Sequence, residues 1–290
     1  HEHGYCSTGP GHFVLGSGLH PGPAGIIGNN WYDRVNKKDV YCVEDPEVNE
    51  LDIPANHMSY NKVNGTSYGD WLKAVSPKSK VYGVSCKDRA SIMMSGKNPD
   101  LALWYNWRGS FTTTDYYTDV IPEWLIDFNE NLNILGYRDS VWTTDLDPQL
   151  LAEYTHGDSF YGESDRFEKT NYSPVFPIGF EAEWDDAKVR NEIASRPWMD
   201  RMTLELAATI VRETDLGQDG TPDILNIGLS TMDLLAHYYG PFSHEVMDHL
   251  TRVDDYIMTF IDFLDQEVGL EHVVFVLTAD HGGLPLPEHW

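Results

Sequence analysis

Short apolar runs alternate with longer segments whose apolar residues recur every three to four positions, and this alternation constrains the fold more than any other feature. Three runs have the length of a strand and cover residues 81–85, 224–229 and 273–277. The last is apolar throughout, which is typical of a strand buried on both faces of a parallel sheet. Helical patterns cover 198–212 and 245–268. The alternation predicts an α/β fold, with a largely parallel sheet sandwiched by helices.

The second helical pattern has a clear start and a clear apolar stripe. Ser243 is a predicted N-cap, with Glu245 in the first turn. The apolar stripe that we expect to face the core contains seven residues: Val246, Leu250, Val253, Ile257, Phe260, Ile261 and Leu264.

Residues 104–185 differ in composition from the rest of the chain. They are rich in Trp, Tyr, Asp and Thr, and they show little regular periodicity. We interpret this segment as an aromatic-rich cap lobe inserted between two parts of an α/β core, residues 1–103 and 186–290. An irregular surface excursion is the alternative interpretation.

An acidic composition limits which partners the chain binds. The 290 residues include 20 Lys and Arg against 46 Asp and Glu, which gives a formal net charge of −26. A surface this negative repels nucleic acids and anionic membranes, so we expect no nucleic-acid partner. A small anionic substrate remains compatible, because one or two positive groups beside a metal ion dominate a pocket. No apolar run approaches the ~18–20 residues of a membrane span.

The cysteines and the chain ends leave several properties open. Cys6, Cys42 and Cys86 form no CxxC motif and leave an odd count, so the sequence does not settle their disulfide state. The chain starts at His1 rather than Met, and we expect it to be part of a longer chain. The oligomeric state and the physiological substrate also stay open.

Two pairs of Asp and His follow predicted strands and are candidate metal ligands. Asp233 and His237 share a face if they lie on a helix, where they could chelate one ion; an ordinary surface ion pair is the alternative. Asp280 and His281 precede two glycines that permit a sharp turn; a loop Asp beside a solvent-facing His is the alternative. Open α/β sheets bind ligands at the carboxyl ends of their strands. Together the pairs predict a site for two divalent metal ions.

The hydroxyl of Thr8 is a candidate nucleophile. Thr8 precedes a Gly-Pro-Gly turn in the position of a helix N-cap, where backbone N–H groups favour an anion. A threonine hydroxyl becomes a nucleophile when a metal ion lowers its pKa. A simple cap is the alternative role, and the adjacent Ser7 is a competing nucleophile. We expect His12 to be structural or solvated.

Two further motifs carry groups that suit a phosphate. Lys87 and Arg89 follow the first predicted strand, and both side chains can reach a phosphate, Arg by its planar fork and Lys as a point charge. A solvated loop pair is the alternative. An amide of the pair Asn29 and Asn30 can donate to a phosphoryl oxygen without adding charge. An ordinary Gly-Asn turn is the alternative there.

These motifs, in this order, resemble those of the alkaline phosphatase superfamily. The resemblance is to its threonine-nucleophile branch, the phosphate-irrepressible (PafA-like) alkaline phosphatases, which are grouped with type I phosphodiesterases and nucleotide pyrophosphatases. The motifs span almost the whole chain: residues 7–12 (STGPGH), 25–33 (GIIGNNWYD), 85–90 (SCKDRA), 230–237 (STMDLLAH) and 278–282 (TADHG). The motifs at 230–237 and 278–282 are similar to the superfamily's metal signatures.

The resemblance implies a role for each residue that faces the substrate. Thr8 is similar to the nucleophile that becomes phosphothreonine. Asn29 is similar to the amide that contacts phosphate. Lys87 and Arg89 are similar to the pair that contacts the non-bridging oxygens of a monoester.

The resemblance also implies two Zn²⁺ ions in the full-length chain. Asp233 and His237 resemble ligands of one zinc ion. Asp280 and His281 resemble ligands of the other, which also binds the oxygen of Thr8. Two further family ligands, an Asp upstream of the nucleophile and a His beyond the last residue, have no counterpart in the sequence. We therefore expect the 290-residue chain alone to retain zinc weakly and to show negligible activity.

The function implied by the resemblance is hydrolysis of small-molecule phosphate monoesters by a periplasmic or secreted enzyme. A phosphodiesterase or nucleotide pyrophosphatase on the same scaffold is one alternative, and a non-catalytic, metal-free relative is another. Lys87 and Arg89 favour a monoester, because a diester carries less charge on its non-bridging oxygens.

Overall fold

The structure, a computed structural model, describes residues 7–53, 56–161, 163 and 175–287. Within these residues the strands are β1 (Asn30–Asp33), β2 (Lys38–Tyr41), β3 (Val81–Ser85), β4 (Leu101–Tyr105), β5 (Phe111–Thr112) and β6 (Ile224–Gly228). The α-helices are α1 (Thr8–Ser17), α2 (Pro21–Ala24), α3 (Tyr68–Val75), α4 (Asp88–Ser95), α5 (Glu123–Leu132), α6 (Pro148–Tyr154), α7 (Asp186–Glu192), α8 (Trp198–Glu213), α9 (Thr231–Tyr239) and α10 (His244–Glu267). Short 3₁₀ helices cover Ile134–Tyr137, Ile193–Ser195 and Leu270–His272.

A four-stranded sheet with the order β5-β4-β3-β6 forms the centre of the fold. Strand β3 pairs in parallel with both β4 and β6, which places Val84 opposite Leu103 on one side and Ile227 on the other. Strand β5 adds an antiparallel edge beside β4. Strands β1 and β2 form a separate antiparallel hairpin. The predicted α/β fold with a largely parallel sheet is confirmed.

Helices cover both faces of this sheet, and successive side chains of β4, which point in opposite directions, enter two different cores. Leu101, Leu103 and Tyr105 lie in a core that includes residues of α8 and α10. Ala102 and Trp104 lie in a second core that includes residues of α1 and α4. All five residues of β4 are buried. This burial is typical of a strand between two helical layers.

The prediction of a strand at 273–277 is wrong. This segment has no ladder partner among the described residues, and Val274 and Val276 are 90% and 77% exposed. An apolar run becomes a strand only where a neighbour supplies backbone hydrogen-bond partners. Within the described part of the chain, β6 pairs with β3 alone. The continuous apolar run that is buried in the sheet is β4.

The sheet extends beyond the first of the predicted core segments. Strand β4 continues across position 104, and β5 lies within 104–185. The same segment contains α5 and α6, whereas residues 164–174 lie outside the described part of the chain. The assignment of the rest of this segment to a cap lobe remains a prediction.

Helix α10 confirms its predicted start and differs in its predicted face. The side chain of Ser243 accepts a hydrogen bond from the backbone N–H of Val246, as expected of an N-cap. Leu250 is 53% exposed, so it does not belong to the buried stripe. The first half of α10 instead buries Asp248 and His249, because both have polar partners on other elements. None of the described helices is long and apolar enough to cross a membrane.

Glu245 is a buried carboxyl group in the first turn of α10. Its side chain is fully buried, and neither carboxyl oxygen has a hydrogen-bond partner among the described residues. Burial raises the pKa of Glu245 to about 9, and the charges of Glu163 and Asp158 contribute to the increase. The folded chain therefore holds a proton that the unfolded chain releases near pH 4.5.

We expect Glu245→Gln to stabilise the fold at neutral and alkaline pH. In the wild type, the stability supplied by the protonated carboxyl is present below the unfolded pKa and is lost as pH rises through the folded pKa. Gln has no proton to lose. Unfolding measured from about pH 5 to about pH 9 should show a growing advantage for the variant, of about 1–3 kcal/mol at the alkaline end. The exposed Glu271→Gln is the control, and parallel pH profiles for Glu245→Gln and wild type would contradict the prediction.

Candidate active site

Thr8 is the first helical residue of α1, so the prediction that it is the N-cap is wrong by one residue, although Thr8 does lie at the helix N-terminus. The N-cap itself is Ser7, one residue earlier than expected, because Ser7 has extended backbone angles (φ −151°, ψ 161°) and Thr8 is already helical. Thr8 is 4% exposed. The hydroxyl of Ser7 is buried and has no hydrogen-bond partner in the described part of the chain. The positive end of the helix dipole therefore lies beside the candidate nucleophile.

The β1–β2 hairpin brings Asn29 to the start of α1. The backbone N–H of Cys42 donates to the carbonyl oxygen of Asn29 at 2.9 Å, which closes the base of the hairpin. The backbone N–H of Gly9 donates to Oδ1 of Asn29 at 2.7 Å. Because the amide oxygen is engaged, the amide nitrogen of Asn29 is the group left to donate to a ligand. A Cβ at Gly9 would lie 2.9 Å from the sulfur of Cys42, so the contact requires glycine.

Lys87 connects the carboxyl ends of two adjacent strands. It follows β3, is 3% exposed, and donates from Nζ to Oδ2 of Asp233 on α9, the helix that follows β6. A buried ammonium group is tolerated only with such a partner. The alternative of a solvated loop cation is therefore wrong for Lys87.

Arg89 lies in the first turn of α4 and is only partly paired. Its Nη1 donates to the hydroxyl of Tyr41 at 3.0 Å, and that hydroxyl donates to Oδ1 of Asp88 at 2.5 Å. The Nε–H of Arg89 is buried and has no partner among the residues that the structure describes. Buried donors in proteins are nearly always paired, so this N–H is available to an acceptor such as water or a phosphoryl oxygen.

The two Asp/His pairs meet, although 43 or more residues separate them in the sequence. Nε2 of His237 lies 3.4 Å from Oδ1 of Asp233. Nε2 of His281 lies 3.7 Å from the same oxygen and 3.4 Å from Oδ2 of Asp280. His237 is 72% exposed, whereas the other three side chains are largely buried. The structure thus brings the four candidate metal ligands into one cluster.

His12 belongs to this cluster, which the sequence analysis did not predict. Its Nδ1 lies 2.9 Å from the carbonyl oxygen of Thr8 and 3.1 Å from Oδ2 of Asp280. The imidazole therefore joins the start of α1 to the second Asp/His pair. The only signal in the sequence is the four-residue spacing from Thr8, which places both on one face of α1.

Both carboxylates of the cluster stay ionised. Burial by itself would raise the pKa of Asp233, but the hydrogen bond from His237 and the charge of Lys87 outweigh it and leave the pKa far below its ordinary value. Burial likewise opposes the interaction of Asp280 with His12, and the pKa of Asp280 is lowered. Ionised carboxylates are the form that binds metal ions.

The donors of the cluster fit zinc in chemistry and spacing. Carboxylate oxygen and imidazole nitrogen are ordinary zinc ligands, and two ligands on one tetrahedral ion with bonds of ~2.0–2.1 Å lie roughly 3.3 Å apart. The separations of 3.4 to 3.7 Å in the cluster are close to that value. Among the described residues, however, no three such donors are arranged to bind one ion. The described chain therefore supplies pairs of donors of the type that zinc binds.

A buried Asp–His pair, which the sequence analysis also missed, supports the start of α9. Asp200 and His249 are fully buried, and Nε2 of His249 lies 2.9 Å from Oδ2 of Asp200. The other oxygen of Asp200 accepts the backbone N–H of Thr231, the first residue of α9, at 3.2 Å. These residues become neighbours only when α8 and α10 pack together, so neither lies in a recognisable motif.

The chain is similar to known proteins along nearly its whole length. The family model of type I phosphodiesterases and nucleotide pyrophosphatases matches residues 6–289. The chain is 34% identical over 284 residues to alkaline phosphatase PhoV of Synechococcus elongatus, covering 97% of this chain and 51% of that protein. It is 33% identical over 280 residues to alkaline phosphatase PafA of Elizabethkingia meningoseptica, covering 95% and 50%. The chain thus spans about half the length of the curated relatives it matches.

Solved structures show the same fold. The crystal structure of wild-type alkaline phosphatase PafA matches with a TM-score of 0.80 and 30% identity, covering 91% of this chain and 52% of that one. The crystal structure of a PafA mutant matches with a TM-score of 0.85 and 31% identity, covering 92% and 52%. The arrangement of helices and sheet in the described residues is therefore that of an alkaline phosphatase.

We expect Gly11→Ala to displace the loop that carries Asp280. A Cβ at Gly11 would lie 2.4 Å from the backbone carbonyl oxygen of Asp280, and a backbone atom cannot move aside as a flexible side chain can. In the whole protein, zinc retention should fall while most of the fold persists, as measured by metal content and by thermal unfolding. Gly22→Ala is the matched control, because no atom lies within 4 Å of a Cβ there. Unchanged zinc retention in Gly11→Ala would contradict this close approach.

Proposed function

Because the chain belongs to the type I phosphodiesterase / nucleotide pyrophosphatase family, and within it to the PafA-like alkaline phosphatases, we propose that the whole protein is a zinc-dependent phosphomonoester hydrolase. Thr8 is its nucleophile and small-molecule phosphate esters are its substrates. We also propose that it acts in the periplasm or outside the cell, as the resemblance to these phosphatases implies.

One observation carries the proposal: a continuous series of polar contacts links the backbone carbonyl of Thr8, whose hydroxyl is the candidate nucleophile, to Lys87, a candidate phosphate-binding cation. The series crosses four segments that are distant in sequence, and its members are Thr8, His12, Asp280, His281, Asp233 and Lys87. A nucleophile, a cation and metal-type donors within one cluster are the groups that phosphoryl transfer requires.

The residues of the cluster divide between the metal ions and the substrate. Asp233 with His237, and Asp280 with His281, would each contribute to one zinc site. Zinc, when bound, lowers the pKa of a coordinated hydroxyl or water and stabilises charge on the leaving-group oxygen. The ionised state of both carboxylates supports this assignment.

The reaction proceeds in two in-line displacements at phosphorus. The hydroxyl oxygen of Thr8 loses its proton and forms a bond to phosphorus, while the bond to the leaving alcohol breaks and the alcohol takes up a proton. Water then loses a proton and attacks the phosphothreonine, the bond between phosphorus and the Thr8 oxygen breaks, that oxygen takes up a proton, and inorganic phosphate leaves. Each step inverts phosphorus, so the overall configuration is retained.

Three side chains stabilise the charge of the transferring phosphoryl group. Because the amide oxygen of Asn29 accepts from Gly9, its amide nitrogen is the group that would donate to a phosphoryl oxygen. Lys87 supplies a point charge, and the unpaired Nε–H of Arg89 supplies a directed donor. Donors and cations that are already positioned where charge develops in the transition state are usually the largest contribution to the rate enhancement of such a reaction.

Two alternatives differ from this proposal in measurable ways. A phosphodiesterase or nucleotide pyrophosphatase would use the same scaffold, and the family model that matches the chain is described by both of these names. The buried cationic pair favours a monoester, because the monoester has the greater charge on its non-bridging oxygens. A non-catalytic relative would lack bound metal.

We expect Lys87→Ala and Arg89→Ala, made in the whole protein, to reduce monoester turnover far more than diester turnover. Loss of one donor that stabilises charge in the transition state costs about 10²–10³-fold in rate. The cost is greater for a monoester, because its non-bridging oxygens carry more charge than those of a diester. The measurement is kcat/KM for an aryl phosphate monoester and for a methyl aryl phosphate diester. Lys73→Ala, which removes a cation paired with Asp100 at 2.7 Å, is the control. Equal losses on both substrates would favour the diesterase.

We expect the whole protein to bind about two zinc ions per chain, because the two Asp/His pairs would each contribute to one site. Asp233→Asn and Asp280→Asn should each lower the zinc content, because a neutral amide is a poorer metal ligand than a carboxylate. Elemental analysis of the purified protein checks both statements. Asp186→Asn, which alters an exposed ion pair with Arg138, is the control. Wild-type protein without zinc would support the non-catalytic relative.

A further inference from the structure

Tyr41 occupies the end of the hairpin strand opposite Asn29. It is the last residue of β2 and pairs with Asn30, the first residue of β1. The hydrogen bond from Cys42 to Asn29 closes the ladder directly beside this pair. The hairpin therefore places the amide of Asn29 and the phenol of Tyr41 at the same end, next to the start of α1.

The hydroxyl of Tyr41 lies between a carboxylate and a guanidinium. It donates to Oδ1 of Asp88 at 2.5 Å and accepts from Nη1 of Arg89 at 3.0 Å. The direct separation of Nη1 and Oδ1 is 3.7 Å, which is longer than a hydrogen bond. The phenol therefore keeps Arg89 and Asp88 from forming a direct bidentate pair.

A backbone hydrogen bond holds the carboxylate of Asp88 in place without help from Tyr41, so the Tyr41 hydroxyl mainly orients the side chain of Arg89. Oδ1 of Asp88 accepts the backbone N–H of Arg89 at 2.6 Å, at the start of α4. Burial and the charge of Asp88 raise the pKa of Tyr41 well above its ordinary value, so the hydroxyl keeps its proton. It therefore remains both a donor to Asp88 and an acceptor from Arg89.

The orientation of the guanidinium leaves one donor free. The Tyr41 hydroxyl engages Nη1, whereas Nε–H is buried without a partner among the described residues. If Arg89 turned to pair with Asp88, the carboxylate would compete with a phosphoryl oxygen for the same donors.

We propose that Tyr41 is a positioning residue that separates Arg89 from Asp88 and so directs the guanidinium at the phosphoryl group of a monoester. The inference rests on the proposed function and adds a residue that does not itself touch the reacting atoms. It predicts that the contribution of Arg89 depends on the Tyr41 hydroxyl.

We test the inference with Tyr41→Phe in the whole protein with zinc bound. The variant should lose roughly tenfold in kcat/KM for an aryl phosphate monoester and roughly tenfold in affinity for inorganic phosphate, the size of one hydrogen bond to a charged group. The loss for a methyl aryl phosphate diester should be much smaller. Tyr116→Phe is the matched control, because it removes a phenol that donates to the carbonyl oxygen of Lys97 at 3.1 Å.

The decisive measurement is the coupling between Tyr41 and Arg89. Arg89→Ala should cost much less in the Tyr41→Phe background than in the wild type, because the guanidinium is already misdirected. A merely structural role for Tyr41 would leave the two losses independent. Independent losses, or wild-type kinetics of Tyr41→Phe, would overturn the inference.

Further measurements keep the inference testable and separate it from the proposed function. If wild-type protein binds inorganic phosphate but does not hydrolyse a monoester, the proposed function fails, and the coupling is then measured in phosphate affinity. If it binds no phosphate, both fail. Should Tyr41→Phe alone not fold, the double variant Tyr41→Phe/Asp88→Asn tests the same contact, because the guanidinium then has no competing carboxylate to turn towards. Its monoester kcat/KM should stay within a few-fold of that of Asp88→Asn, and a roughly tenfold loss relative to Asp88→Asn would overturn the inference.

Discussion

The ion pair between Lys87 and Asp233 is the contact on which the rest of the candidate site depends. It joins the segments that follow β3 and β6, two adjacent parallel strands whose carboxyl ends lie at the same edge of the sheet. Asp233 in turn lies near His237 and His281. The carboxylate of Asp233 therefore contacts the candidate phosphate-binding cation, Lys87, and lies near two candidate metal ligands, His237 and His281. Its position connects the predicted phosphate-binding part of the site to the predicted metal-binding part.

The same contact is compatible with the binding of an anion that we propose for this acidic chain. The formal net charge of −26 describes the whole chain, whereas the field within a pocket is set by the groups nearest the ligand. Lys87 and Arg89 are largely buried, so water screens their charges less than it screens the acidic surface. In the site that we propose, binding of a phosphate ester would depend on local pairing, with Asp233 bound to Lys87 and Tyr41 bound to Arg89.

Two close approaches to the backbone of α1 fix the position of this helix relative to these groups. Gly9 lies against Cys42 and Asn29, and Gly11 lies against the backbone of Asp280. Neither position has room for a Cβ. The glycines of the STGPGH motif are therefore required by packing on two sides of α1, in addition to any role in the turn that the sequence suggests.

The sequence by itself determined the α/β class, strands β3 and β6, helices α8 and α10, and which residue types were candidates for the site. Periodicity and residue chemistry are local properties, so they are readable from the chain. Only the tertiary structure decided that the apolar segment 273–277 stays exposed while β4 is buried, because strand formation requires a neighbour. It also decided that His12, Tyr41 and Asp200 contact the candidate site residues or the helix that carries them. Their partners are distant in sequence or on a neighbouring element, and contacts of that kind exist only after the helices, the hairpin and the sheet have packed.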